Sequence, residues 1–191
     1  MNSEQITVVS GVPRSGTSMM MRMLEAGGLN PLTDRIRAPD ENNPKGYYEL
    51  ECVKTLPHDH SWLPGARGRV TKIISSLLKH LPPTYDYKIV FMRRHTSEIL
   101  LSQTEMLRRL GKNHQAAPDE ELTRIYEKHL TDIQLWLQKQ PNMAVHYVFY
   151  NDIIEDPVKH VAEINGFLGD CLDEVRMLDA VDTSLHRAKS A

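Results

Sequence analysis

Apolar positions along this chain fall into two rhythms. The runs 5–10, 69–74, 87–92 and 144–149 are short and dense in apolar or β-branched residues, the pattern of strands buried on both faces of a parallel sheet. Between them the spacing turns helical. A methionine-rich amphipathic stretch with Met19, Met20, Met21 and Met23 follows the first run. Ile99, Met106, Leu107 and Leu110 mark one apolar face after the third run, and Leu122, Ile125, Tyr126, His129, Ile133, Trp136 and Leu137 mark a longer one. Pro118-Asp119-Glu120-Glu121 reads as a helix start, since proline presets φ and acidic side chains suit the first turn, while Pro141-Asn142 stops that helix before the fourth strand. Strand and helix in alternation predict an α/β fold of three layers, P-loop-like, with a central parallel sheet flanked by helices. No internal repeat or low-complexity segment divides the chain, which reads as a single domain over residues 1–191.

The junction after the first strand carries the densest chemistry. Gly11-Val12-Pro13-Arg14-Ser15-Gly16-Thr17-Ser18 has the spacing of G-x-x-x-x-G-K-[ST], in which backbone N–H groups and a following helix N-terminus cradle phosphates. Thr17 stands where that pattern has its lysine, and the loop carries Arg14 instead. An NTP-cleaving loop uses the lysine on the β- and γ-phosphates, so its absence argues against ordinary NTPase or kinase chemistry. A second cationic position follows the third strand. Arg94 offers a forked donor where ligands of open α/β sheets collect, and Ser102 lies eight residues on. Were the segment helical throughout, the two would stand about 12 Å apart along the axis, a gap that an arginine and a phosphate can span.

Pro13 to Ser18 behind a hydrophobic strand resembles the loop of the sulfotransferase superfamily, and Arg94 with Ser102 matches that superfamily's later arginine and serine. Asn43 to Glu49, Tyr150 to Pro157 and Ile164 to Gly169 also look like segments of bacterial sulfotransferase-like proteins, so the resemblance covers most of the chain. It implies that Arg14, Ser15, Gly16, Thr17 and Ser18 hold the 5′-phosphosulfate end of 3′-phosphoadenosine 5′-phosphosulfate (PAPS). It implies that Arg94 and Ser102 hold the 3′-phosphate, with Tyr150 at the cofactor and the C-terminal Arg187 closing over it. The implied reaction moves a sulfuryl group from PAPS to a hydroxyl or amine of a small-molecule or glycan acceptor. The other reading is a P-loop nucleotide-binding protein or kinase-like enzyme without sulfotransferase activity, which would keep the cradle and lose the turnover.

Sulfuryl transfer needs a base for the acceptor proton and cations for the charge that develops on the bridging oxygen. Arg14 and Lys72 are the candidate cations, Lys72 on condition that the carboxyl end of its strand lies beside the loop. Glu49 is the preferred base because it ends the family-like Gly46-Tyr47-Tyr48-Glu49 segment; Asp34, Glu51, His58 and His60 are its rivals. The Pro-, Asp- and Asn-rich stretch 30–46 reads as a substrate-side loop or lid. His58-Asp59-His60 hints at a metal, but lacks a separated third ligand cluster, and none is expected.

Composition narrows the partners. A 40% hydrophobic content over 191 residues can build a sizeable core, and a net charge of -2 provides no global attraction for nucleic acid or an anionic membrane. Cys52 and Cys171 are too few for a disulfide framework, and no apolar run is long enough to span a bilayer, so a cytoplasmic protein with reduced thiols is expected. A homodimer is compatible with all of this.

Overall fold

A computed structural model describes residues 4–34, 36, 40, 46–111 and 119–182. Among these residues four parallel strands form one sheet: β1 (Ile6–Gly11), β2 (Val70–Lys72), β3 (Tyr87–Arg93) and β4 (Met143–Phe149), in the spatial order β2-β1-β3-β4. Every residue of β1 is buried, as expected of a central strand covered on both faces. Its side chains alternate between two cores. Ile6 and Val8, with Tyr87, Ile89 and Phe91 of β3, join one core, and Val9, with Val90 and Met92, joins the other.

The second core is closed by α1 (Thr17–Ala26), α4 (Tyr150–Glu155), α5 (Pro157–Leu168) and α6 (Glu174–Asp179), which contribute Met20, Ile153, Ile164 and Met177 among others. The first is closed by short 3-10 segments at Glu51–Thr55, Leu63–Ala66 and Ser75–His80, and by Ile133 and Leu137 of α3 (Asp119–Leu137). α2 (Thr96–Arg109) packs beside α3, with the Tyr126 hydroxyl donating to Gln103 Oε1 at 2.8 Å. The three-layer α/β expectation therefore holds.

Local expectations shift in three places. The predicted strand 69–74 shrinks to Val70–Lys72: the Ile73 N–H still donates to the Val9 carbonyl, but the chain then turns into a 3-10 segment at Ser75. Ile125, expected on the buried face of α3, is exposed, because the buried stripe runs through Ile133 and Leu137, and Ile125 lies about 100° around the helix from Tyr126. Arg94 to Ser102 is helical only from Thr96, so Arg94 projects from the extended end of β3 rather than from a helix turn.

Candidate active site

The phosphate-loop candidate lies between β1 and α1, above the carboxyl end of the sheet's central strand. Arg14 is held at φ 72, in the left-handed region that non-glycine residues enter at a cost. The turn is locked from inside. The Ser15 N–H and its fully buried hydroxyl both reach the Val12 carbonyl, the hydroxyl at 2.8 Å. Ser15 therefore shapes the loop with its side chain, and the N–H groups around Gly16, Thr17 and Ser18 form the start of α1, a helix end of the kind that attracts anions. Gly16 has φ 98, and a Cβ there would stand 2.5 Å from the Tyr150 ring, so the loop and the start of α4 fit together only through glycine.

Arg94, Ser102 and Tyr150 converge on that loop. Arg14 Nε donates to Ser102 Oγ at 2.9 Å. Arg94 Nη1 donates to the Arg14 carbonyl at 3.4 Å, and the Arg94 guanidinium lies 4.5 Å from the centre of the Tyr150 ring. Burial pushes the Arg14 guanidinium below its ordinary pKa, with Arg94 adding to the effect and Tyr47 opposing it. Two cations are thus gathered at one loop, where an anion with several oxygens would relieve their repulsion. Burial also raises the pKa of the Tyr150 hydroxyl, against the pull of Arg94.

On the other side of β1, parallel pairing sets Lys72, the last residue of β2, opposite Val9, two residues before Gly11. Lys72 Nζ donates to the Tyr47 carbonyl and stands 4.0 Å from Glu49 Oε1. Tyr47 in turn donates its hydroxyl to Asp40 at 2.6 Å. Three of the four rival bases have partners of their own. Asp34 accepts the N–H of Ile36 and of Glu51, which hold its carboxyl below the usual range; Glu51 pairs with Lys54 at 2.8 Å; His60 Nε2 donates to the His80 carbonyl at 3.0 Å; and His58 is exposed. Among the described residues no group of three or more His, Cys, Asp or Glu is placed to hold a metal ion. Arg187 and Asn43 to Lys45 lie outside the described residues, as does most of the expected lid.

The sequence reading missed Glu98. Its buried carboxylate accepts Arg94 Nε at 2.7 Å and Asn151 Nδ2 at 3.0 Å. An acid four residues after Arg94 was the available signal.

The family model for the sulfotransferase domain matches residues 4–190. This chain belongs to that family. Its chemistry is sulfuryl transfer, and the sulfotransferase fold recurs in solved structures of low sequence identity. The sulfotransferase domain from the curacin biosynthetic pathway is 16% identical with a TM-score of 0.58, over 97% of this chain and 80% of that one. Mouse sulfotransferase SULT7A1, complexed with PAP, is 16% identical with a TM-score of 0.57, over 100% and 68% of the two chains. Retinol dehydratase, in complex with retinol and PAP, is 18% identical with a TM-score of 0.54, over 98% and 68%. No curated protein sequence matches this one. Among the described residues no helix of this sulfotransferase is long and apolar enough to cross a membrane.

Proposed function

We propose that this sulfotransferase uses PAPS to sulfate a hydroxyl or amine of a small-molecule acceptor. The observation that carries the reading is the meeting of Arg14, Arg94 and Ser102 beside the start of α1. A 3′,5′-bisphosphate nucleotide has two separated anionic ends for such a site, one for the helix start and loop N–H groups and one for Arg94 and Ser102. The donor set suits this nucleotide better than a triphosphate, since Thr17 replaces the lysine that would hold the γ-phosphate. PAP, the same nucleotide without its sulfuryl group, is bound by two of the structural relatives, and one of these also holds retinol, a small alcohol.

Bound there, PAPS supplies a sulfuryl group that leaves its 5′-phosphate oxygen as the acceptor oxygen or nitrogen bonds to sulfur. Glu49 takes the acceptor proton. Lys72, beside it at the end of β2, is the cation for the charge on the bridging oxygen, while Arg14, turned toward Ser102, serves the nucleotide.

Calorimetric titration tests the reading without an acceptor. PAP is expected to bind without metal and more tightly than AMP or ATP with Mg²⁺. Arg94→Ala should weaken PAP by about 1.5 to 3 kcal/mol, the scale of a hydrogen bond to a charged group, and Ser102→Ala by less. Equal affinity for PAP and AMP, or an unchanged dissociation constant in Arg94→Ala, rejects it.

A further inference from the structure

We propose that Glu98 is the positioning residue that lets this site discriminate a nucleotide with a 3′-phosphate from one without it, acting through Arg94. The inference rests on the nucleotide reading above and adds the origin of the selectivity.

Glu98 sits in the first turn of α2 with its side chain 2% exposed, and the Arg94 side chain is 7% exposed. A carboxylate so buried is costly unless each oxygen is answered. Both are. Oε2 takes the Nε–H of Arg94 at 2.7 Å, and Oε1 takes an N–H of Asn151 at 3.0 Å. Asn151 follows Tyr150, so one chain corner at the end of β4 supports the carboxylate and also lays an aromatic ring 4.5 Å beneath the guanidinium.

The consequence is a guanidinium fixed in plane and in rotation. Glu98 occupies Nε, the donor nearest the main chain; Tyr150 covers one face; the Arg14 carbonyl meets Nη1 at 3.4 Å. A free arginine loses rotamer freedom when it clamps a phosphate, which offsets part of the hydrogen-bond energy. Here that ordering is completed on folding, and Nη1 at the outer end of the fork meets the phosphate loop at the Arg14 carbonyl. The Glu98 charge opposes an incoming phosphate, so its benefit is geometric: it holds the donor rather than attracting the ligand.

That distinction separates two variants. Glu98→Gln keeps an oxygen for Arg94 Nε and removes the charge. Its amide nitrogen would face Asn151, whose Oδ1 is buried and without a partner among the described residues and can turn to accept. Glu98→Ala removes the oxygen as well. Calorimetry with PAP and with AMP, on folded protein, reads the role. Glu98→Ala should weaken PAP about tenfold or more and leave AMP unchanged, whereas Glu98→Gln should keep PAP affinity within about threefold. Should Glu98→Ala fail to fold, Asn151→Ala loosens the same carboxylate from its other oxygen and should lower the PAP-over-AMP ratio by about threefold. Parallel loss of PAP and AMP affinity, or an unchanged ratio in the variants that fold, overturns the proposal. A wild-type protein that binds PAP and AMP alike overturns the nucleotide reading and this proposal with it.

Discussion

Glu49→Gln should leave PAP affinity close to that of the parent protein and slow sulfuryl transfer by roughly 10² to 10⁴, the contribution of a positioned base. The side chain is 37% exposed, open to an acceptor, and its Oε1 stands 4.0 Å from Lys72 Nζ. Lys72 is placed by two long-range constraints: the pairing of β2 with β1 sets it opposite Val9, and its bond to the Tyr47 carbonyl draws the Tyr47 to Glu49 segment over the strand end. Glu49 and Lys72, the base and cation of the proposed reaction, therefore share one edge of the site. Asp34 is a poorer base because the two backbone N–H groups it accepts stabilise its ionised form and hold its pKa low. A screen of hydroxylated and amine acceptors with PAPS supplies a substrate, after which kcat is compared across Glu49→Gln and matching variants of Asp34, Glu51, His58 and His60. Turnover at the parent rate in Glu49→Gln, with one of the others inactive, would transfer the role to that residue.

The largest effect on stability is expected at Gly11. Its φ of 147 lies in a region that L side chains rarely adopt, and a Cβ there would come within 2.5 Å of Ser15 Oγ and 2.7 Å of the Met92 carbonyl. The serine cannot withdraw easily, because its hydroxyl is buried against the Val12 carbonyl. The carbonyl cannot move at all without disturbing the β1–β3 ladder, in which Gly11 pairs with Met92. Gly11→Ala should therefore cost about 2 to 4 kcal/mol, a fall in Tm of roughly 5 to 15 °C for a chain of this size. Gly28→Ala provides the control: φ is 106, but nothing lies within 4 Å of the added Cβ. It should lose only the backbone preference, about 1 kcal/mol. Scanning calorimetry decides, and equal Tm values for the two variants would remove the steric argument.

Features set by neighbours in sequence are legible in the chain itself. The six-residue β1, the glycine-bounded turn and the start of α1 are one continuous stretch, and the hydrophobic run and glycine spacing specify them with little outside help. The strand ending beside Arg94 and the helix bearing Ser102 were legible for the same reason. How the chain joins these parts was not. The Ser15 hydroxyl braces the turn, since burial under the loop, not residue type, decides where that hydroxyl points. Arg14 bonds Ser102 across 88 residues, Glu98 bonds Asn151 across 53, and Lys72 meets the Tyr47 carbonyl across 25. Those pairs exist because β1 lies between β2 and β3, with β4 beyond. That order brings four carboxyl ends to one edge, and periodicity is blind to it: the 3.6- and 2-residue repeats report which face a side chain takes, whereas the choice of neighbouring strand comes from burying both faces of the sheet at once.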